Sequence, residues 1–273
     1  MNYNLPYIPE RPPKPRSEGL TMMMDKGLSV SETESFIESS GEFTDFVKFG
    51  FGTSIITKKL KEKIKLYKQA KIRPYFGGTL FEAFVIRNMF DDYRKYISEF
   101  DLDLAEISDG SMSMPHEQKL KYISRLSKEV TVLSEVGSKQ RGVFIPADQW
   151  VVMMKTELEV GSFKVIAEAR ESGTIGIYNS DGTANESLIN TISKHINPAD
   201  IIWEAPDGKQ QVWFIKLYGA NVNLGNIAPN IVVPLECLRL GLRGDTFFDA
   251  LPKEEKEKKQ QSFDHLPNLD FQI

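Results

Sequence analysis

The sequence predicts a closed (β/α)8 barrel in a single domain, and three observations lead there. The chain has 273 residues, close to the roughly 250 that such barrels use. Eight short β-rich apolar runs alternate with amphipathic stretches, their starts separated by 26, 27, 30, 27, 34, 37 and 30 residues. One strand, one helix and two loops need about 30 residues, so eight near-equal steps favour closure over an open doubly wound sheet. No proline-rich or Ser/Gly-rich linker interrupts the middle of the chain. The expected division is an N-terminal arm over 1–19, the barrel over 20–251 and a polar tail over 252–273.

The arm carries Pro6, Pro9, Pro12, Pro13 and Pro15, and proline continues neither a helix nor a central strand, so it is expected to be extended. The eight strand candidates are Leu20–Met24, Phe46–Phe49, Arg73–Phe76, Asp103–Ile107, Val130–Ser134, Lys164–Ala167, Ile201–Trp203 and Ile231–Pro234. Between them, Ile55, Ile56, Leu60, Ile64 and Tyr67 recur at helical spacing, as do Phe81, Phe84, Val85, Asn88 and Met89. Thr79 to Glu82 reads as a capping box opening the third helix. Pro115 and Pro146 suit first-turn helix positions, where a missing N–H costs nothing. Asn179–Gly182 and Pro206–Gly208 read as turns. The lysine-rich stretch 58–71 reads as a solvated helix face and the KEEKEKK run as solvated tail. Met22–Met24 reads as barrel core.

Composition excludes several classes. There is no apolar run of about 18 residues for a membrane span and no secretory signal pattern. Cys237 is alone, so it reads as a small buried hydrophobe rather than a disulfide or cluster ligand. His116, His195 and His265 are scattered, which disfavours a histidine metal site, and His116 reads as a surface residue. A net charge of −4 argues against a nucleic-acid or anionic-membrane surface. The expected setting is cytoplasmic, with no nucleic acid and no membrane as partner.

In a parallel barrel the functional groups stand at the C-terminal ends of strands. Here nearly every predicted end carries a charge beside a glycine: Lys26, Lys48, Glu106, Glu135 with Lys139, Glu168 with Arg170, and Glu204. Glutamates from successive strands can converge on a hard cation such as Mg²⁺, and the interleaved cations can hold a multiply charged anion. Each residue alone has a mundane reading as a cap, turn or ion-pair partner. Their joint placement is what points to metal-assisted chemistry on an anion.

At these positions the sequence resembles the phosphosulfolactate synthase family, which includes plant heat-stress-associated proteins. The resemblance spans about residues 11–248. It runs through Lys14-Pro15-Arg16, Thr21, Asp25 to Leu28, Asp45, Lys48 to Ser54, Gly77 to Glu82, Glu106 to Ser111, Ser134 to Gly137, Glu168 to Gly173, Leu224 to Ile227, and Leu238 to Thr246. It implies an α/β barrel, a homo-oligomer with a trimer as one candidate, and Mg²⁺-dependent addition of sulfite to phosphoenolpyruvate to give (2R)-phospho-3-sulfolactate. Ser138 departs from the pattern, where a second lysine beside Lys139 is expected. This puts a neighbouring anion contact in question.

The expected roles are Glu106, Glu135 and Glu168 as metal ligands, with Glu204 in reserve, and Lys139 as proton donor. Lys26, Lys48 and Arg170 are expected to bind the phosphate, carboxylate or sulfite groups. Arg239 and Arg243 follow the eighth predicted strand, where barrels often hold phosphate; Arg243 could serve a subunit contact instead. The rivals are a barrel enzyme using Lys139 or Lys26 as a Schiff base, which borohydride trapping would reveal, and a non-catalytic stress-related homologue.

Overall fold

The computed structural model describes residues 2–138, 144–169, 174 and 176–257. Eight parallel strands form one sheet: β1 Thr21–Asp25, β2 Phe46–Phe49, β3 Arg73–Phe76, β4 Leu104–Ile107, β5 Thr131–Val136, β6 Ser162–Ala167, β7 Ile201–Glu204 and β8 Leu224–Ile227. Their order, β3-β2-β1-β8-β7-β6-β5-β4, is that of a nearly closed (β/α)8 barrel with helices between the strands. β3 and β4 meet at the seam. Arg73 spans it at the strand starts, donating through Nε to Asp103 Oδ2 (2.9 Å) and through its terminal nitrogen to Thr131 Oγ1 (2.8 Å).

The side-chain period of two sorts each strand into an inner and an outer face. Leu20, Met22, Phe46, Tyr75, Leu104, Leu133, Ile166 and Ile202 fill the barrel interior. Val47, Phe49, Phe76, Ala105, Ile107, Val132, Val165, Ala167, Ile201 and Trp203 face outward into a second core beneath the helices. The helices are α1 Val30–Ser40, α2 Leu60–Gln69, α3 Gly78–Val85, α4 Phe90–Glu99, α5 His116–Leu126, α6 Ala147–Glu159, α7 Glu186–Ser193, α8 Gly208–Tyr218 and α9 Val232–Arg239. Pro115 and Pro146 stand one residue ahead of their expected positions, at the N-caps of α5 and α6. Asp207 and Gln210 form the capping box of α8, and Gly182 N donates to Asn179 O within the expected turn (2.9 Å).

Seven strand candidates lie where the sequence places them, and the eighth does not. Ile231–Pro234 is β-branched, yet it forms a 3-10 turn and the first turn of α9. The eighth strand is the preceding Leu-Gly-Asn-Ile segment, whose glycine and asparagine disguise it as a loop. A Cβ on Gly225 would lie 2.6 Å from Met22 Cε and 3.1 Å from Ile202 Cγ2, so a larger residue there would have to displace the Met22 side chain. The stretch 58–71 is not wholly solvated either. Lys63 is fully buried against Asp25 (2.7 Å), and Tyr67 donates to the same carboxylate (2.9 Å). His116 is half-buried, its Nε2 in a hydrogen bond with Thr156 Oγ1 (2.9 Å), and Cys237 is half-buried rather than buried. Residues 253–257 of the tail form a helical turn. Among the described residues, no helix is long and apolar enough to cross a membrane.

The arm packs beneath the strand starts. Arg11 donates to Glu236 and Gly19 O, and Lys14 to Gly41 O (3.0 Å) and Thr44 O (2.5 Å). Burial, partly offset by Asp45, pulls the Lys14 ammonium down from 10.5 to about 8. The fold therefore disfavours the charged form that the unfolded chain keeps up to pH 10.5. Between pH 8 and 10.5 the unfolded state binds more protons, so stability rises with pH in that window. Denaturant titrations across it should show this rise diminished in Lys14→Met relative to the native sequence; parallel curves would contradict the assignment.

Candidate active site at the barrel mouth

The inner face continues for one more step beyond the apolar layer, and there its chemistry changes. Two residues after Phe46, Leu104, Leu133, Ile166 and Ile202 stand Lys48, Glu106, Glu135, Glu168 and Glu204. Strand periodicity alone aims all five into the mouth. They line a cavity of about 470 Å³ with Met24, Gly77, Gly78, Thr79, Ser111 and Asn226. All five charged groups are buried.

Lys48 Nζ lies 3.0 Å from Glu106, 3.0 Å from Glu204 and 3.6 Å from Glu135. Burial opposes its charge, but Glu106, Glu204, Tyr75 and Glu135 outweigh burial and hold it well above the ordinary lysine range. Lys48 was expected to bind substrate. It does face the cavity, but its ammonium is committed to the carboxylates.

The carboxylate grouping also differs from expectation. Oxygen atoms of Glu135, Glu168 and Glu204 lie within 4.8 Å of one another. Glu106 is not in that group; it lies against Lys48 and accepts from the Gly78 N–H (2.6 Å to Oε1). Gly78 is needed there: a Cβ would sit 2.2 Å from Ser108 Oγ and 2.8 Å from Glu106 Oε1. Glu204, the expected reserve, takes the third place, and its Oε2 accepts from Ala169 N (2.8 Å). Three buried carboxylates without a sulfur or imidazole donor suit a hard divalent cation such as Mg²⁺. The donor set therefore fits the ion that the sequence reading expected.

Supporting residues fix the rim, and two of them, Lys119 and Glu157, carry no signal in the strand-end pattern. Glu82 does not cap its own helix; it accepts from Ser108 Oγ and from Ser111 N (2.9 Å), tying α3 to the loop after β4. Gly77 is the N-cap instead. Lys119, fully buried, pairs with Asp109 and Glu157 (2.8 Å each) and donates to Glu135 O (2.5 Å). Asp25 Oδ1 accepts from Gly27 N and Leu28 N (2.9 Å each), which shapes the loop carrying exposed Lys26. Helical spacing from His116 to Lys119 and from Trp150 to Glu157 was the available signal for the Lys119 network.

Two expected anion contacts sit elsewhere. Arg239 ends α9 and donates to Ala220 O, Val222 O (2.7 Å) and Leu20 O (3.2 Å), carbonyls at the strand starts. Arg243 follows it, exposed, 3.3 Å from Asp245. The cause is the misplaced eighth strand: residues 232–239 return down the outside of the barrel, so both arginines arrive at the end opposite the mouth. Lys139 and Arg170 lie outside the described residues.

Residues 9–245 match the family described as (2R)-phospho-3-sulfolactate synthase (ComA). Phosphosulfolactate synthase of Bacillus subtilis (strain 168) is 41% identical over 244 residues, covering 88% of this chain and 97% of that protein. Protein HEAT-STRESS-ASSOCIATED 32 of Arabidopsis thaliana is 24% identical over 261 residues, covering 84% and 88%. A crystal structure of 3-hexulose-6-phosphate synthase superposes with a TM-score of 0.51 at 12% identity, over 83% of this chain and 98% of that one, a likeness of fold alone. With nearly the whole barrel matched and two-fifths of the residues identical to a curated member, this chain belongs to the phosphosulfolactate synthase family.

Proposed function

We propose that the chain catalyses Mg²⁺-dependent addition of sulfite to phosphoenolpyruvate, giving (2R)-phospho-3-sulfolactate. The observation that carries the reading is the convergence of Glu135, Glu168 and Glu204 at the mouth of a barrel of this family. In the reaction the sulfur lone pair forms the S–C3 bond, the C2=C3 π pair moves toward the C1 carboxylate, and C2 takes a proton. No bond to phosphorus breaks. A magnesium ion held by the three glutamates supplies Lewis-acid stabilisation of the carboxylate charge.

The chain's own groups do the rest. Lys48 offsets repulsion among the glutamates: it is the one ammonium among the described cavity-lining residues, set against four carboxylates. Lys139, three residues after β5 in sequence, is assigned the proton delivered to C2. Lys26 and Arg170 are assigned to the anionic groups, which repel one another by roughly 1 kcal/mol per charge pair at about 4 Å in water and more in a drier site. The protein is assigned a cytoplasmic, homo-oligomeric setting. The test is loss of the enol ultraviolet absorption of phosphoenolpyruvate on adding sulfite. It should require Mg²⁺ and stop with chelator. Absence of turnover with every divalent metal tried would favour the reading of the chain as a non-catalytic stress-related homologue.

A further inference from the structure

β8 departs from regular strand geometry at one point. Its ladder with β1 pairs Thr21 with Leu224 and Met23 with Ile227, so three steps on β8 oppose two on β1. The extra residue is a bulge, and Asn226 within it has φ +56°. A regular strand sends successive side chains to opposite faces. Here Gly225 abuts the inner residue Met22, and Asn226, the next residue, lines the mouth as well. Bulges beside active sites re-aim side chains in this way, and asparagine tolerates the left-handed backbone that the turn demands.

The amide has a defined orientation. Nδ2 donates to Ala169 O (3.3 Å), and the same Ala169 donates through its N–H to Glu204 Oε2. This contact directs Oδ1 the other way. Asn226 is 8% exposed, and among the described residues no donor reaches its Oδ1. A buried acceptor without a donor is costly to keep. The proposed substrates are anions with acceptor groups of their own, so this oxygen does not suit them. It suits a cation: hard divalent ions take amide oxygens alongside carboxylates.

We infer that Asn226 Oδ1 is the neutral oxygen ligand of the divalent cation held by Glu135, Glu168 and Glu204, delivered to the site by the β8 bulge. This rests on the proposed metal-dependent function. The test measures ion binding itself, on the full chain: Mn²⁺ by the electron paramagnetic signal of the free ion, and Mg²⁺ by calorimetry. Asn226→Gly keeps the left-handed backbone and removes the amide; it should bind each ion at least about tenfold more weakly while melting as a folded protein. Asn226→Asp keeps an oxygen and adds charge, so it should bind as tightly or more tightly. A folded Asn226→Gly with unchanged affinity overturns the assignment. If that variant does not fold, tenfold weaker binding by Asn226→Asp overturns it. A native protein that binds neither ion, at concentrations where Glu168→Gln also shows no binding, overturns the carboxylate site itself.

Discussion

Lys48→Met is expected to lower stability by about 3–5 kcal/mol, the range for removing one partner of a buried charge pair. In a domain of this size that corresponds to a fall in thermal midpoint of the order of 10 °C. The cause is local. Lys48 Nζ is shared among Glu106, Glu204 and Glu135, all buried. Without it the cavity lining keeps its four carboxylates and loses the ammonium that Glu106, Glu204 and Glu135 share. Two further readouts separate this from simple loss of packing. Raising Mg²⁺ should recover more of the midpoint in Lys48→Met than in the native protein, because the ion replaces the missing positive charge. Acidification should also recover part of it, since protonation removes the repulsion. A variant that melts with the native protein, or that ignores Mg²⁺, would show that Lys48 does not balance the cluster.

Glu168→Gln should have the opposite pattern. Its carboxylate belongs to the three-glutamate group but carries no ion pair to Lys48 among those at the mouth. Replacing a direct ligand should weaken Mg²⁺ binding by at least about 100-fold, beyond what loss of a supporting group costs. Sulfite-dependent turnover should fall in parallel. The midpoint should fall less than in Lys48→Met, because the change removes one negative charge from a mouth lined by four buried carboxylates. Affinity unchanged within a factor of two, measured by calorimetry, would remove Glu168 from the ligand set.

The legible parts of this protein are those governed by short-range pattern. The apolar runs and their spacing located β1 to β7, and the charged residue closing each run pointed at the mouth. Period-two alternation explains why: Phe46 and Lys48, or Leu133 and Glu135, must share a face. Strand ends taken without that alternation leave Lys48 as an anion contact. Only three-dimensional convergence shows that Glu106 and Glu204 reach its ammonium. β8 was hidden because the bulge at Gly225 and Asn226 requires residues of poor strand propensity. The β-branched Ile231–Val233 then took its place, and Arg239 and Arg243 were carried to the wrong end of the barrel. Glu82 fits the capping-box spacing, but its carboxylate serves Ser108 and Ser111, a contact separated by more than 25 residues. Long-range hydrogen bonds of this kind leave no local signature.

The most direct measurement is the mass of the product formed from phosphoenolpyruvate and sulfite in heavy water, together with its configuration at C2, with protein stripped of metal and then resupplied with Mg²⁺. The account predicts one sulfonate adduct that retains its phosphate and carries a single deuterium at C2, on one face only, and formed only when the metal is present. Release of phosphate or pyruvate, a deuterium distributed over both faces, or an adduct that forms equally well in chelator would contradict it.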